Sequence, residues 1–487
     1  MADCRLQIRE RAEPRRTESE VFPICNLQSA ICNFTIALAL VVSSASSRSV
    51  AAQDGSAWLE AYRQPAARLI GEATSDTFAW RRLTVLTDSI GARLSGSPQL
   101  DRAIEWAVAE MNRDGLENVH TEPVVVPRWI RGAESAELVE PARQPIVMLG
   151  LGNSVGTPPG GVQAEILVVR SFNDLDANAR RVAGRIVLFN ADYTAYEETV
   201  TYRSDGPSRA ARLGAVAALV RSVGPAGLRT PHTGAVQYAS SSPQIPAAAI
   251  ATEDADRLQR MADRGLRLIV RLKMEAHFEA DVESANVVGE LRGRERPDEV
   301  VVVGGHLDSW DVGTGASDDG GGCVVTWEAL RIMKKLNLRP RRTVRVVLWT
   351  NEENGTRGGI AYRDRHRSEL PKHVLMLESD NGVSRPLGFG FSGSEPARQT
   401  LKLIAGLLRG IGADAIMSGG GGADTSPSVR EGRIPSLSLV VDDSKYFLVH
   451  HTQADTPDKI DPLEMAKCAA AVAVMAYVVA DMPDRLE

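Results

Sequence analysis

The stretch Val301-Val-Val-Gly-Gly-His306-Leu-Asp308-Ser-Trp-Asp-Val-Gly-Thr-Gly-Ala-Ser-Asp318-Asp319-Gly-Gly-Gly322 decides how this chain is read. Val300 to Val303 is a β-branched run too short for a helix, and the glycine pair ends it, so a buried strand delivers His306 at its carboxyl end. In an open α/β sheet that edge gathers ligands and reacting groups, because its loops vary without disturbing the core. Asp308, two residues on, can reach the ring nitrogen that His306 does not offer to a metal, a role that fixes the tautomer. Asp318 precedes three glycines that let backbone and metal approach closely. Asp-Asp-Gly alone reads equally well as a surface turn. Behind an apolar strand and a His-x-Asp, it reads as a metal site.

Three more segments bring donors to strand ends. Arg342-Thr-Val-Arg-Val-Val-Leu-Trp349 is a second buried-strand pattern and runs into Thr350-Asn351-Glu352-Glu353-Asn354-Gly355. Of two adjacent carboxylates, one can bind a metal while its neighbour faces water or substrate, as a metal-assisted hydrolase needs. His373 to Leu377 ends in Glu378-Ser379-Asp380, and Tyr446-Phe-Leu-Val-His450-His451-Thr-Gln-Ala-Asp455-Thr-Pro457 offers two histidines before an acid. Imidazole and carboxylate donors without cysteine suit Zn²⁺, with Mn²⁺ or Co²⁺ as substitutes.

The order His-x-Asp-Ser, Gly-Ala-x-Asp-Asp-x-x-Gly, Asn-Glu-Glu, Glu-Ser-Asp and His-x-x-x-Asp-Thr resembles the co-catalytic di-zinc aminopeptidase and carboxypeptidase family, from about residue 75 onward. The resemblance implies an α/β fold, a mixed twisted β-sheet flanked by helices, and two Zn²⁺ ions per chain. It implies that Asp318 bridges the ions, that His306 and Asp380 complete one site, and that Glu353 and His451 complete the other. Glu352 is then the general base, and the Asp318-Asp319 peptide is cis. His451 is chosen over His450 because the His-x-x-x-Asp-Thr spacing counts back four residues from Asp455. The implied reaction is hydrolysis of a peptide substrate by metal-activated water without a covalent intermediate, in a homodimer. A family aminopeptidase is the nearest alternative. A one-zinc glutaminyl cyclase of the same fold, or a binding homologue that has lost its ligands, fits less well because every ligand position is filled.

The remaining sequence sets the organisation. The chain has 487 residues, a formal net charge of -6 and no basic stripe, which argues against nucleic acid as a partner. Residues 1–52 read as a leader: arginines at 5, 9, 11, 15 and 16 precede the apolar run Phe34–Val42, and Val50-Ala-Ala52 ends it. A secreted or periplasmic product with no membrane span after cleavage is expected. Residues 53–126 and 281–487 form the two parts of the peptidase domain. Between them, 127–280 changes to short apolar strands punctuated by Gly and Pro and resembles an inserted β-rich protease-associated domain. Asp101 is expected to cap a helix through Arg102–Met111, and Gly419–Gly422 to form a mobile loop beside the substrate. Cys323 and Cys468 read as small core residues, and Met465–Ala480 as a core helix.

Overall fold

The computed structural model describes residues 57–486, so the leader reading of 1–52 lies outside the described residues. One eight-stranded sheet comprises β1 (Glu117–Val126), β2 (Val282–Leu291), β3 (Arg296–His306), β4 (Arg342–Trp349), β5 (His373–Glu378), β6 (Pro386–Ser392), β7 (Ala415–Ser418) and β8 (Ser436–Val441). Their spatial order is β1-β2-β4-β3-β5-β8-β6-β7. The central four, β4, β3, β5 and β8, are parallel, while β1, β2 and β6 join antiparallel, which makes the sheet mixed.

β3 shows why the apolar run is continuous rather than alternating. Val301 and Val303 enter the core beneath one face of the sheet, and Val300 and Val302 enter a second core on the other. A parallel strand covered on both faces needs apolar residues at every position. The larger core is closed by helices α1 (Glu60–Ala73), α2 (Pro98–Arg113), α3 (Gly321–Lys335) and α4 (Pro462–Asp481), with α3 packed on α4. Helix α4 is long and apolar enough to cross a membrane, yet it is buried from Cys468 through Asp481. Its interrupting Lys467 pairs with Glu464 at 2.7 Å. Cys323 and Cys468 are free and buried.

The cap of α2 differs from the expectation. The helix begins at Pro98, whose missing N–H costs nothing in the first turn, and Ser97 Oγ accepts from Leu100 N at 3.2 Å. Asp101 lies inside the first turn instead.

A second eight-stranded sheet is built from strands between Glu134 and Met274 and lies in the chain between β1 and β2. Its centre is parallel: Val162–Val169, Ile186–Phe189, Ala217–Arg221 and Ala247–Ile250. Helices Gly206–Arg212 and Thr252–Asp263 accompany it, so the segment is α/β rather than simply β-rich. Its core takes in Leu94 and Trp310 from outside the segment. Trp310 follows His306 by four residues, so the second sheet is packed directly against the loop that leaves β3.

Candidate metal centre

Strand register brings the donors to one edge. His306, the last residue of β3, pairs with Trp349, and Gly304 pairs with Glu378. The residues just beyond Trp349 and Glu378, namely Glu352, Glu353 and Asp380, therefore emerge beside His306. The loop after β8 returns His450 and His451 to the same place.

Asp318 is at the centre. Its Oδ1 lies 3.2 Å from His306 Nε2, and its Oδ2 lies 3.1 Å from His451 Nε2. His306 Nε2 also faces Asp380 Oδ1 at 3.2 Å, while His451 Nε2 faces Glu353 Oε2 at 3.1 Å. Two donor groups, His306 with Asp380 and His451 with Glu353, thus share one carboxylate. His450 Nε2 stands 3.4 Å from Asp318 Oδ2 and stacks on His451 at 3.6 Å between ring centroids. His451 touches both acids and His450 only one. The Asp318-Asp319 peptide is cis.

Around these donors is a layer of fixed backbone. Asp308 differs from the sequence reading: His306 Nδ1 faces the Asp308 backbone carbonyl at 3.0 Å, while its carboxylate is 3.8 Å from that nitrogen. The Asp308 carboxylate instead accepts from Glu352 N at 3.0 Å, Glu353 N at 3.3 Å and Ser95 Oγ at 3.2 Å. The reason is the turn after β3, which curls the Asp308 carbonyl back under the ring and leaves its side chain facing the end of β4. Asp319 accepts from His306 N at 3.1 Å and Gly322 N at 3.0 Å. A Cβ on Gly305 or Gly322 would overlap the Asp319 carboxylate, so both glycines are needed for close approach.

Sequence reasoning gave Asp455 and Arg93 no role. Asp455 accepts from Ser317 N at 2.7 Å and Asp318 N at 3.1 Å, holding the peptide that carries the shared acid. Buried Arg93 donates to the carbonyls of Leu307, Gly91, Thr314 and Gly315 at 2.6–3.0 Å, tying the ends of the His306–Asp318 loop together. The signal for Asp455 was the Asp-Thr of the His-x-x-x-Asp-Thr spacing; a lone arginine in Gly91–Pro98 gives no comparable signal. Gly419–Gly422 does not line the central cavity, and a Cβ on Gly422 would overlap the Glu378 carboxylate, so there the run serves packing.

The donors open into a cavity of about 550 Å³, lined by Glu352, Glu353, Asp380 and His450 on one side and by Tyr196, Arg203 and Gln237 on the other. The second sheet's segment also grips the histidine turn. Thr233 N donates to the His451 carbonyl at 2.9 Å, and Arg203 Nη1 donates to the Thr233 carbonyl at 3.2 Å. Arg203 Nη2 donates to Tyr196 Oη at 2.8 Å, and the Tyr196 ring meets His450 edge-on.

The electrostatics ask for cations. Burial, with the charges of Asp380 and Glu353, pushes Glu352 well above the usual carboxylate range. Burial and Asp318 do the same to Glu353, and burial lifts Asp380. Burial opposes charging His306, but the Asp380 and Asp318 carboxylates outweigh it and hold its pKa well above the ordinary value. Crowded carboxylates without a counter-charge hold their protons more tightly, and a bound cation would supply that charge. Asp318 Oδ2 is buried and, although the Nε2 atoms of His450 and His451 stand near it, receives no well-directed hydrogen bond. Two clusters of nitrogen and oxygen donors meet on that carboxylate: His306, Asp318 and Asp380, and Asp318, His450 and His451. A set without thiolates suits Zn²⁺ and its borderline relatives.

Comparison with known proteins places this geometry. The model of Peptidase family M28 matches residues 286–476, the span from β2 into α4. Carboxypeptidase Q of Mus musculus is 46% identical over 408 residues, covering 84% of this chain and 87% of that protein. Carboxypeptidase Q of Homo sapiens is 45% identical, with 84% and 86% covered. Among solved structures, a Peptidase M28 precursor from Shewanella amazonensis SB2B superposes with a TM-score of 0.85 at 35% identity, covering 88% of this chain and 98% of that one. BSAP, a zinc aminopeptidase from Bacillus subtilis, shares the fold at 20% identity and a TM-score of 0.63, with 84% and 96% covered. The chain belongs to peptidase family M28.

Proposed function

We propose that this chain is an exported zinc exopeptidase that hydrolyses dipeptides or short peptides at a two-zinc centre, as the carboxypeptidase Q relatives' name and the donor set together suggest. The observation carrying this reading is Asp318, whose two oxygens face two separate donor groups beside the cavity. His306, Asp318 and Asp380 would hold one ion, and Asp318, Glu353 and His451 the other. When bound, zinc lowers the pKa of water toward neutrality and polarises the scissile carbonyl.

The chain's own residues do the remaining work. Glu352 lines the cavity with its backbone held by Asp308, so it is placed to take a proton from water and pass it to the leaving amine. Glu353 Oε1 accepts from Trp310 N at 3.1 Å, which leaves Oε2 facing His451. The second sheet, in the role of a protease-associated domain, roofs the cavity and limits it to small substrates. Export follows from the leader reading, and a homodimer from the family resemblance.

Replacing Glu352 by Gln should lower turnover by about 100-fold or more with two zinc ions retained per chain. Full activity in that variant would sink the assignment. Whether the amino or carboxyl end is anchored is decided with blocked dipeptides. Cleavage needing a free amine alone would mark an aminopeptidase, and a need for both ends would mark a dipeptidase.

A further inference from the structure

Both donor histidines turn Nε2 to Asp318, but their other ring nitrogens have opposite partners. His306 Nδ1 faces the Asp308 carbonyl at 3.0 Å. A carbonyl can only accept, so it keeps the ring proton on Nδ1, frees Nε2 for a cation and makes the ring a stronger donor. His451 Nδ1 faces Arg203 Nη1 at 3.4 Å. A guanidinium can only donate, and it keeps its charge in a protein.

This cation is built into its place. Arg203 is 6% exposed, and the groups that hold it are uncharged: the Thr233 carbonyl accepts from Nη1 at 3.2 Å and the Tyr196 hydroxyl from Nη2 at 2.8 Å. Its Nε is buried with no hydrogen-bond partner. A Cβ on Gly234 would overlap the guanidinium, so that glycine makes room for it. The result is a conflict on one ring only. A cation at His451 Nε2 puts the ring proton on Nδ1, where N–H meets N–H beside a positive charge. With the lone pair on Nδ1 instead, Arg203 is satisfied, but Nε2 then carries a hydrogen toward Asp318 and Glu353 and cannot ligate.

We propose that Arg203 is a positioning residue that acts through His451 to make the ion position at His451 and Glu353 the weaker of the two, so that zinc fills the position at His306 and Asp380 first. The inference rests on the two-zinc reading above and adds an order of binding and the residue that sets it. A less basic imidazole passes less charge to its ion, which leaves that ion the stronger pull on a carbonyl oxygen.

The test is calorimetric titration of the metal-stripped full chain with zinc, with bound zinc counted by elemental analysis. The unaltered chain should bind two ions in steps separated about tenfold or more, with His306→Ala removing the tight step and His451→Ala the weak one. Arg203→Gln, which removes the charge and offers a carbonyl acceptor, should tighten the weak step about tenfold. Arg203→Lys, which keeps the charge, should leave that step within about threefold. The sign separates charge from scaffolding, since a residue that merely held the histidine turn in place would weaken the second ion when lost. Weakening or no change in Arg203→Gln, or loss of the tight step in His451→Ala, would overturn the proposal. The histidine variants decide it with Arg203 intact if Arg203→Gln does not fold. If the unaltered chain binds one ion and Arg203→Gln binds two, the inference stands and the two-zinc count falls; one ion in both overturns it.

Discussion

Asp308 holds Glu352 by the backbone: its Oδ1 accepts the Glu352 N–H at 3.0 Å, and its other oxygen accepts Glu353 N at 3.3 Å. One buried carboxylate thereby sets both acids of the Asn-Glu-Glu turn, the proposed base by one oxygen and the proposed metal donor by the other. Asp308→Asn keeps one acceptor and presents an N–H to the second amide. We expect kcat to fall about 10- to 100-fold, with zinc held less tightly through the loosened Glu353. Steady-state kinetics beside metal analysis checks this, and unaltered kcat would remove Asp308 from the catalytic arrangement.

Asp455 acts one step further out. Asp455→Ala leaves Ser317 N and Asp318 N buried without acceptors, at about 1–3 kcal/mol each. The variant should melt several degrees lower and bind zinc less tightly, because the shared acid loses its fixed backbone. Calorimetric melting and zinc titration read the two effects separately. Asp455→Asn, which keeps one acceptor, should fall between.

Metal removal should destabilise the folded chain. Apo protein keeps Glu352, Glu353 and Asp380 crowded around Asp318 with only the histidines to offset them. Zinc that binds the folded state alone adds about 2.7 kcal/mol at a free concentration 100 times Kd. Dialysis against a chelator should therefore lower Tm, and zinc should restore it. An identical Tm with and without zinc would contradict a site formed by folding.

Far from the donors, Glu122 on β1 accepts from His366 at 2.7 Å while only 1% exposed. Burial raises its pKa, but the His366 hydrogen bond and the charges of His366, Arg365 and His120 outweigh that and hold it below the ordinary value. A carboxylate depressed on folding contributes stability above its unfolded pKa, about 4.3, and loses it as pH falls through the folded value. Urea unfolding between pH 3 and 6 should show an acid limb that Glu122→Gln flattens. An unchanged limb would mean that other carboxylates carry it.

His306, Glu352, Glu353 and Asp380 were legible because each stands at or just past the end of a strand whose apolar run is continuous, and strands covered on both faces permit little else. Arg342–Trp349 matches β4 residue for residue, and His306 does end its strand, although β3 runs on through Gly304 and Gly305, which the pattern alone reads as its end. What failed was direction within a turn. Asp308 looked like the partner of the His306 ring because i to i+2 is close, but backbone dihedrals decide whether the carbonyl or the side chain takes that place. Capping failed similarly: Asp101 and Ser97 are both good caps, and Pro98 settled between them by where a helix can start.

The sequence by itself determined which residues could be donors, their order along the chain and the strand ends that present them, because burial on both faces is written directly into residue type. Tertiary packing brought those ends to one edge, set Asp318 between two donor groups, and braced His451 with Arg203 and Thr233, which the second sheet's segment carries on a helix and a loop. Those relations depend on strand register and on contacts between residues as far as 248 positions apart, and no local pattern specifies contacts at that range.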